Sequence, residues 1–128
     1  MLRWVRGDVC DISLVNSLLA GTDMVFHLAA ESHVTRYFCD PILFDRVKNE
    51  GTKVMLEASV ACGVRRFVRF STDEVYVTCL TPVGENQPFA PSSPYALSKT
   101  LAEAHVADYQ KLGLDMVVLR PSNAVGVG

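Results

Sequence analysis

No G-x-G-x-x-G or G-x-x-G-x-x-G occurs among the eight glycines of this chain. No segment therefore reads as the glycine-rich loop that seats a pyrophosphate on backbone amides at a helix start. Cysteine is sparse: Cys10, Cys39, Cys62 and Cys79 lie far apart and form no C-x-x-C. That spacing argues against a zinc site, and a reducing compartment such as the cytoplasm is the simpler setting. No apolar run approaches the roughly 18 residues of a membrane span. Met1 to Asp8 has no separate apolar stretch with a cleavage site, so no secretory leader is expected. Lys and Arg number 12 against 14 Asp and Glu, with no basic block; neither nucleic acid nor a membrane is expected as a partner. Repeats and low-complexity segments are also missing. What is present is 128 residues, 49% hydrophobic and 20% charged, an ordinary composition at the size of one domain with a core.

The apolar pattern alternates between two periods. Leu2 to Arg6 is expected to form a short strand, ended by Gly7-Asp8. Ile12, Val15, Leu18 and Leu19 recur at helical spacing, and Gly21 can close that helix. Met24 to Ala30 is nearly all apolar, which suits a parallel strand covered on both faces. Ile42 to Cys62 reads as a long helix with Val47, Gly51, Val54, Met55, Ala58 and Ala61 inward and Gly63 as its stop. Arg66 to Ser71 is the next strand, its two arginines expected near the ends of the sheet. Residues 77 to 94 form an 18-residue loop, long enough to suggest function. Ser93 as cap and Pro94 in the first turn open a helix that runs to about Leu112 and stops at Gly113. Asp115 to Leu119 is the last strand. Strands and helices in alternation predict an α/β fold with a parallel sheet and right-handed crossovers.

In such a sheet, ligands bind beyond the carboxyl ends of the strands. Ala29 to His33, Thr72 to Glu74 and Pro121 to Asn123 each follow a strand, so all three are expected on one edge. Tyr95 and Lys99 lie four residues apart on a helix and share a face with Ala102, Val106 and Tyr109. A lysine beside a tyrosine favours the phenolate, which can take a proton from a hydroxyl while hydride leaves the same carbon. Asp73 and Glu74 are adjacent carboxylates whose mutual repulsion can divide them into an acid and a base.

The stretches His27 to Val34, Ser71 to Tyr76, Ser93 to Lys99 and Arg120 to Asn123 resemble the extended short-chain dehydrogenase/reductase family. Within it they are similar to the branch of sugar-nucleotide 4,6-dehydratases that act on dTDP-glucose. The resemblance covers nearly the whole chain but corresponds only to an inner part of a family member. It implies a partial Rossmann-like doubly wound parallel sheet of order 3-2-1-4-5-6, an NAD(P)-binding domain over residues 1–128 that lacks the first two strands and the C-terminal substrate domain. Leu2 to Arg6 would be its strand 3. It also implies NAD as cofactor, a nucleotide sugar as substrate and a homodimer formed through the helices near 42–62 and 93–112. By the same resemblance Tyr95 is the base at the sugar 4-hydroxyl, Glu74 takes the C5 proton and Asp73 protonates the departing 6-hydroxyl. Thr72 bonds near O4, and Lys99 binds the nicotinamide ribose and supports Tyr95. Asp8 and Val9 flank adenine; Leu28, Ala29, Ala30, Glu31 and Ser32 pass the cofactor, Ser32 also near the sugar; Asn123 lies near the substrate phosphates.

The chain departs from the family at several places. Relatives often carry Thr-Asn-x-x-Gly-Thr where this chain has Val47-Lys48-Asn49-Glu50-Gly51-Thr52, and a one-residue step turns Asn49 by about 100° around a helix. Thr35, Val125 and Val127 replace an aspartate, a tyrosine and a proline. A 4-epimerase or decarboxylase of the same family, and a binding module without catalysis, stay open on the residues alone. Without a phosphate loop, residues 1–128 by themselves are expected to be inactive.

Overall fold

A computed structural model describes residues 2–30, 46–76, 81–122 and 126. Asp11 opens helix α1 (Ile12–Leu19) by accepting from the Leu14 amide at 3.0 Å, one of the donors a helix start leaves without an intrahelical partner. Gly21, at φ 75°, turns the chain toward strand β1 (Met24–His27). A π-helical turn (Arg46–Glu50) leads into α2 (Gly51–Ala61), followed by β2 (Arg66–Phe70) and a 3-10 turn (Asp73–Val75). Helix α3 (Pro94–Lys111) begins as its sequence predicts: Ser93 Oγ accepts from the Ala96 amide at 3.0 Å and proline occupies the first turn. Strand β3 (Asp115–Leu119) ends the regular structure.

The three strands are parallel in the order β1-β2-β3, and their register aligns two rows, Val25–Phe67–Met116 and His27–Arg69–Val118. Side chains two apart on a strand share a face, so both rows point the same way. Leu56 and Ala58 of α2, Val106 of α3, and Val15 and Leu19 of α1 pack onto the first row, with Val64 and Leu114 closing the core. Phe67 and Leu56 are fully buried, each worth about 1.5–3 kcal/mol in removed apolar surface. The other face is different. Phe26 is 59% exposed, and Met24, Val117 and Leu119 are exposed as well. The strand expected over Met24 to Ala30 is thus shorter than its apolar run, and among the described residues its cover by helices is one-sided. The described helices lie on a single face, so the outward row has no described helix over it.

Three further expectations are corrected. Leu2 to Arg6 forms no strand; Leu2 and Trp4 are 96% and 81% exposed. A strand needs a neighbour to complete its ladder, and the described sheet pairs only β1 with β2 and β2 with β3. The chain after it instead folds closely over α2, where a Cβ on Gly51 would come within 2.7 Å of the Val9 side chain. The helix expected over Ile42 to Cys62 is a π turn plus α2, with residues 42–45 outside the described set. Gly51 and Ala58 face inward as predicted, but Ala61 is exposed, and Lys48, Thr52, Leu56 and Ser59 are buried. The wider π turn shifts the inward stripe relative to a uniform helix. Thr52 and Ser59 are accommodated because each hydroxyl donates to the carbonyl four residues back, at 2.6 Å. Finally, the arginines of β2 differ from each other. Arg66 pairs with Asp115 at 2.7 Å at the exposed start of the sheet, whereas Arg69 is 2% exposed.

Candidate active site

Hydrogen bonding between neighbouring segments continues past the end of β2. The Ser71 amide donates to the Leu119 carbonyl at 2.8 Å and the Asp73 amide to the Pro121 carbonyl at 3.3 Å. This holds Thr72 to Glu74 beside Pro121 at the carboxyl edge of the sheet, as the topology predicts. Thr72 is buried and caps the 3-10 turn, its Oγ1 accepting from the Glu74 amide at 3.3 Å. The carboxylates that follow, Asp73 and Glu74, are exposed. Glu31, Ser32 and Asn123 lie outside the described residues.

Tyr95 and Lys99 share the inward face of α3 with Ala102, Val106 and Tyr109; Lys99, Ala102 and Val106 are buried and the two tyrosines half-buried. Lys99 Nζ donates to the Phe70 carbonyl at 3.0 Å and lies 5.9 Å from the centre of the Tyr95 ring. Burial, helped by the charge of Arg69 and opposed by Glu103, pulls the lysine down to about 8. Tyr95 moves in the direction opposite to the expectation. Burial first, then the Glu74 carboxylate, raises its pKa, and the charge that opposes them is Arg69. The lysine ammonium, for its part, is bonded to the β2 backbone. Lys48 Nζ lies 4.1 Å from the centre of the Tyr95 ring, close enough for a cation–π contact.

Thr52 organises the buried polar row. Its Oγ1 donates to the Lys48 carbonyl at 2.6 Å, receives Arg69 Nη1 at 2.8 Å and lies 3.1 Å from His27 Nε2. A hydroxyl has one hydrogen to give and two lone pairs. With its hydrogen spent on Lys48, Thr52 accepts from His27, which fixes the Nε2–H tautomer. Burial, with Arg69 and Lys99 nearby, holds His27 down to about 3, so the imidazole is neutral at pH 7. Arg69 is lowered to about 10 by burial and stays charged there. A second cluster braces α3 from the far side. Arg120 grips Glu103, Nη2 donating to Oε2 at 2.7 Å and Nε to Oε1 at 3.2 Å, and donates to the Tyr76 hydroxyl at 2.6 Å, which in turn donates to the Glu85 carbonyl at 3.1 Å. Two parallel bonds to one carboxylate fix orientation as well as distance.

A cleft of about 480 Å³ opens at the same end, with Asp8, Val9, Ala29, Ala30 and Val47 on its walls. The Asp8 carboxylate accepts from the Cys10 amide at 2.9 Å and from Arg46 at 3.4 Å; the hydrogen bond from the Cys10 amide holds its pKa below the ordinary carboxylate value. An acceptor beside an apolar wall fits the sugar and base of a nucleotide. Leu28, 59% exposed, precedes the cleft wall. Sequence reasoning missed the polar row of His27, Thr52 and Arg69 and the place of Lys48 over Tyr95. The available signal was a basic residue in a strand and hydroxyls at inward helix positions.

The family model described as GDP-mannose 4,6 dehydratase matches residues 1–127. The dTDP-glucose 4,6-dehydratase of Streptomyces antibioticus is 44% identical over 127 residues, 98% of this chain and 38% of that protein. In the solved structures, the dTDP-glucose 4,6-dehydratase of Streptomyces venezuelae with NAD and thymidine diphosphate bound superposes with a TM-score of 0.87 at 39% identity, over 93% of this chain and 38% of the other. The UDP-glucose 4-epimerase of Brucella ovis in complex with NAD gives a TM-score of 0.88 at 31% identity, over 98% of this chain and 41% of the other. The chain therefore spans about 38% of the length of the curated dehydratase it matches. An open parallel sheet with flanking helices, a family match along almost the whole chain and tyrosine and lysine on one helix face together show that this chain belongs to the extended short-chain dehydrogenase/reductase family.

Proposed function

We propose that the complete gene product carrying this chain is a sugar-nucleotide 4,6-dehydratase that converts dTDP-glucose to dTDP-4-keto-6-deoxyglucose, with NAD as resident cofactor. The observation that carries the reading is Thr72-Asp73-Glu74 at the end of β2, with Glu74 close enough to Tyr95 to raise its pKa. Bound NAD would supply the oxidising power at C4 and the hydride that finally reaches C6. The chain's own residues handle protons and position. Tyr95 takes the proton of the sugar 4-hydroxyl, and the 4-keto group that results acidifies the C5 hydrogen. Glu74 removes that proton, and Asp73 protonates the 6-hydroxyl so that it leaves as water. Both carboxylates are exposed, as groups that must meet a substrate are. Thr72 hydrogen-bonds near O4, and Lys99 binds the nicotinamide ribose. Asp8 and Val9 flank the adenine, Leu28 to Ser32 pass along the cofactor with Ser32 also reaching the sugar, and Asn123 meets the substrate phosphates.

Residues 1–128 are assigned as one part of the dinucleotide-binding domain, with the amide cradle for the pyrophosphate and the sugar-binding domain supplied by other parts of the gene product. Activity is assigned to that product and not to the isolated segment. A homodimer through the outer faces of α2 and α3 fits the exposure of Val60, Leu97 and Leu101. Free thiols at Cys10 and Cys62 suit a cytoplasmic setting. Incubation with dTDP-glucose tests the reading: a 4-keto-6-deoxy product is expected, and 4-epimerised sugar alone would overturn it. The 4-epimerase alternative draws on the equally close superposition with the Brucella ovis enzyme. Asp73→Asn separates the two, because water loss should stop while enzyme-bound NADH still accumulates.

A further inference from the structure

Two neighbours at the head of α2 are buried in the reverse of their hydrophobic order. Val47 and Lys48 are adjacent in the π turn (Arg46–Glu50), yet Val47 is half-buried and Lys48 is 1% exposed. Taking an ammonium out of water is costly, whereas the valine beside it would be buried at a gain. The extra width of the π turn brings the lysine round, and such turns gather at functional sites. The backbone there is pinned: Thr52 Oγ1 donates to the Lys48 carbonyl at 2.6 Å and is itself held by Arg69 Nη1 at 2.8 Å. Lys48 stands where relatives often carry asparagine, and no step of the proposed reaction uses it.

The side chain ends at Tyr95. Lys48 Nζ lies 4.1 Å from the centre of the Tyr95 ring, against 5.9 Å for Lys99 Nζ. A phenolic oxygen lies about 3 Å from its ring centre, so Lys48 Nζ is within about 7 Å of the Tyr95 oxygen, a distance at which two charges out of water still act strongly on each other. The remaining charged and titratable groups come from every element packed there. Lys99 of α3 donates to the Phe70 carbonyl, Arg69 of β2 donates to Thr52, and His27 of β1 is neutral. Glu103 of α3 is gripped by Arg120. On the π turn itself, Arg46 and Glu50 pair with each other in solvent at 3.5 Å. Asp73 and Glu74 of the 3-10 turn are exposed, and burial together with the Glu74 carboxylate opposes ionisation of Tyr95.

We propose that Lys48 is a positioning residue for proton transfer at Tyr95: the π turn carries its ammonium onto the face of the Tyr95 ring, where the charge orients the ring and favours the phenolate. A cation is drawn to the face of a neutral ring, and more strongly to a ring that bears the charge of a phenolate. The ammonium thereby answers the burial and the Glu74 repulsion that oppose ionisation. Lys99 is left to its backbone bond and the nicotinamide ribose. In the reaction the proton moves from the sugar 4-hydroxyl to the Tyr95 oxygen, while the hydrogen on C4 leaves with its electron pair to bound NAD. Lys48 neither gains nor loses a proton. The catalytic part of this inference rests on the dehydratase reading; the ionisation of Tyr95 does not.

The test compares the wild type with Lys48→Met and Lys48→Arg in the complete gene product. Ultraviolet absorbance of tyrosinate, with the Tyr95→Phe spectrum of each background subtracted, follows Tyr95 without substrate. Lys48→Met keeps the length of the side chain and removes its charge. It is expected to raise the Tyr95 midpoint by about one pH unit or more, a tenfold loss of phenolate at a fixed pH below it. The acid limb of kcat/KM should move by the same amount, and Lys48→Arg, which keeps the charge, should restore both. A side chain that only fills space would lower turnover without moving the titration, so an unchanged Tyr95 midpoint in Lys48→Met overturns the proposal. An equal rise in Lys48→Met and Lys48→Arg also overturns it, because charge would not be the cause. Should Lys48→Met fail to fold, Lys48→Gln removes the charge and keeps a polar head; an upward shift supports the proposal and an unchanged midpoint overturns it. A wild type that makes no 4-keto-6-deoxy sugar would refute the dehydratase reading, and the titration would still decide the role of Lys48.

Discussion

The rows Val25–Phe67–Met116 and His27–Arg69–Val118 lie two residues apart on the same face of the same three strands. The first is apolar and closed by Leu56 and Val106; the second places an imidazole and a guanidinium under Thr52. Both are out of water, yet they answer different demands. Toward the amino ends of the strands, removal of apolar surface stabilises the fold at little cost in specificity. Toward the carboxyl ends the same helices cover charges that an apolar row would avoid. That cost is borne next to Tyr95 and Lys99, where a charge acting through low-dielectric surroundings is strongest.

The largest effect that would sharpen this contrast is on rate. Tyr95→Phe nearly keeps the side chain's shape, so turnover of dTDP-glucose by the complete gene product should fall by about 10²–10⁴ with little change in thermal unfolding. Unchanged turnover would remove Tyr95 from the mechanism and erase the distinction between the rows. Phe67→Ala acts on the other row. Phe67 is fully buried at the centre of the sheet, so urea unfolding should show a loss of about 3–5 kcal/mol. A loss under about 1 kcal/mol would mean that the apolar row does not carry the fold as its packing implies.

The smallest predicted effect per step of the measurement is a pH dependence specific to the polar row, which builds up only over several pH units. His27 is held down to about 3 from an ordinary value of 6.5, so below pH 6.5 the unfolded chain binds a proton that the folded chain refuses. Stability should therefore decline as pH falls from about 6.5 toward 3, by at most about 1.4 kcal/mol per pH unit from this residue. His27→Asn should flatten that slope in chemical unfolding measured across the window. An equal slope in the variant would assign the acid sensitivity to other groups.

Local signals in the chain were legible wherever the physics is local. Ser93, Pro94 and Gly113 bound α3 as their capping chemistry requires, and β3 forms over Asp115 to Leu119 as its pattern predicts. Thr72 to Glu74 and Tyr95 with Lys99 could be identified as the candidate site because their spacing and their place after strand or cap are written in order along the chain. Leu2 to Arg6 shows the limit. Its pattern suits a strand, but a strand exists only with a partner, and none pairs with it among the described residues. The π turn at Arg46–Glu50 likewise shifts the inward stripe of α2 by an amount that periodicity does not carry.

By itself, then, the sequence determined the order of strands and helices, their caps and stops, and the residue types available for proton transfer. Those depend on neighbours a few positions apart. Tertiary structure alone decided that Arg69 would be buried while Arg66 pairs at the surface, that Thr52 would join His27 to Arg69, and that Lys48 would lie over the Tyr95 ring. Burial and electrostatic coupling belong to distances through space: residues 27, 52 and 69, and likewise 48 and 95, become neighbours only when the sheet and its two helices close on one another.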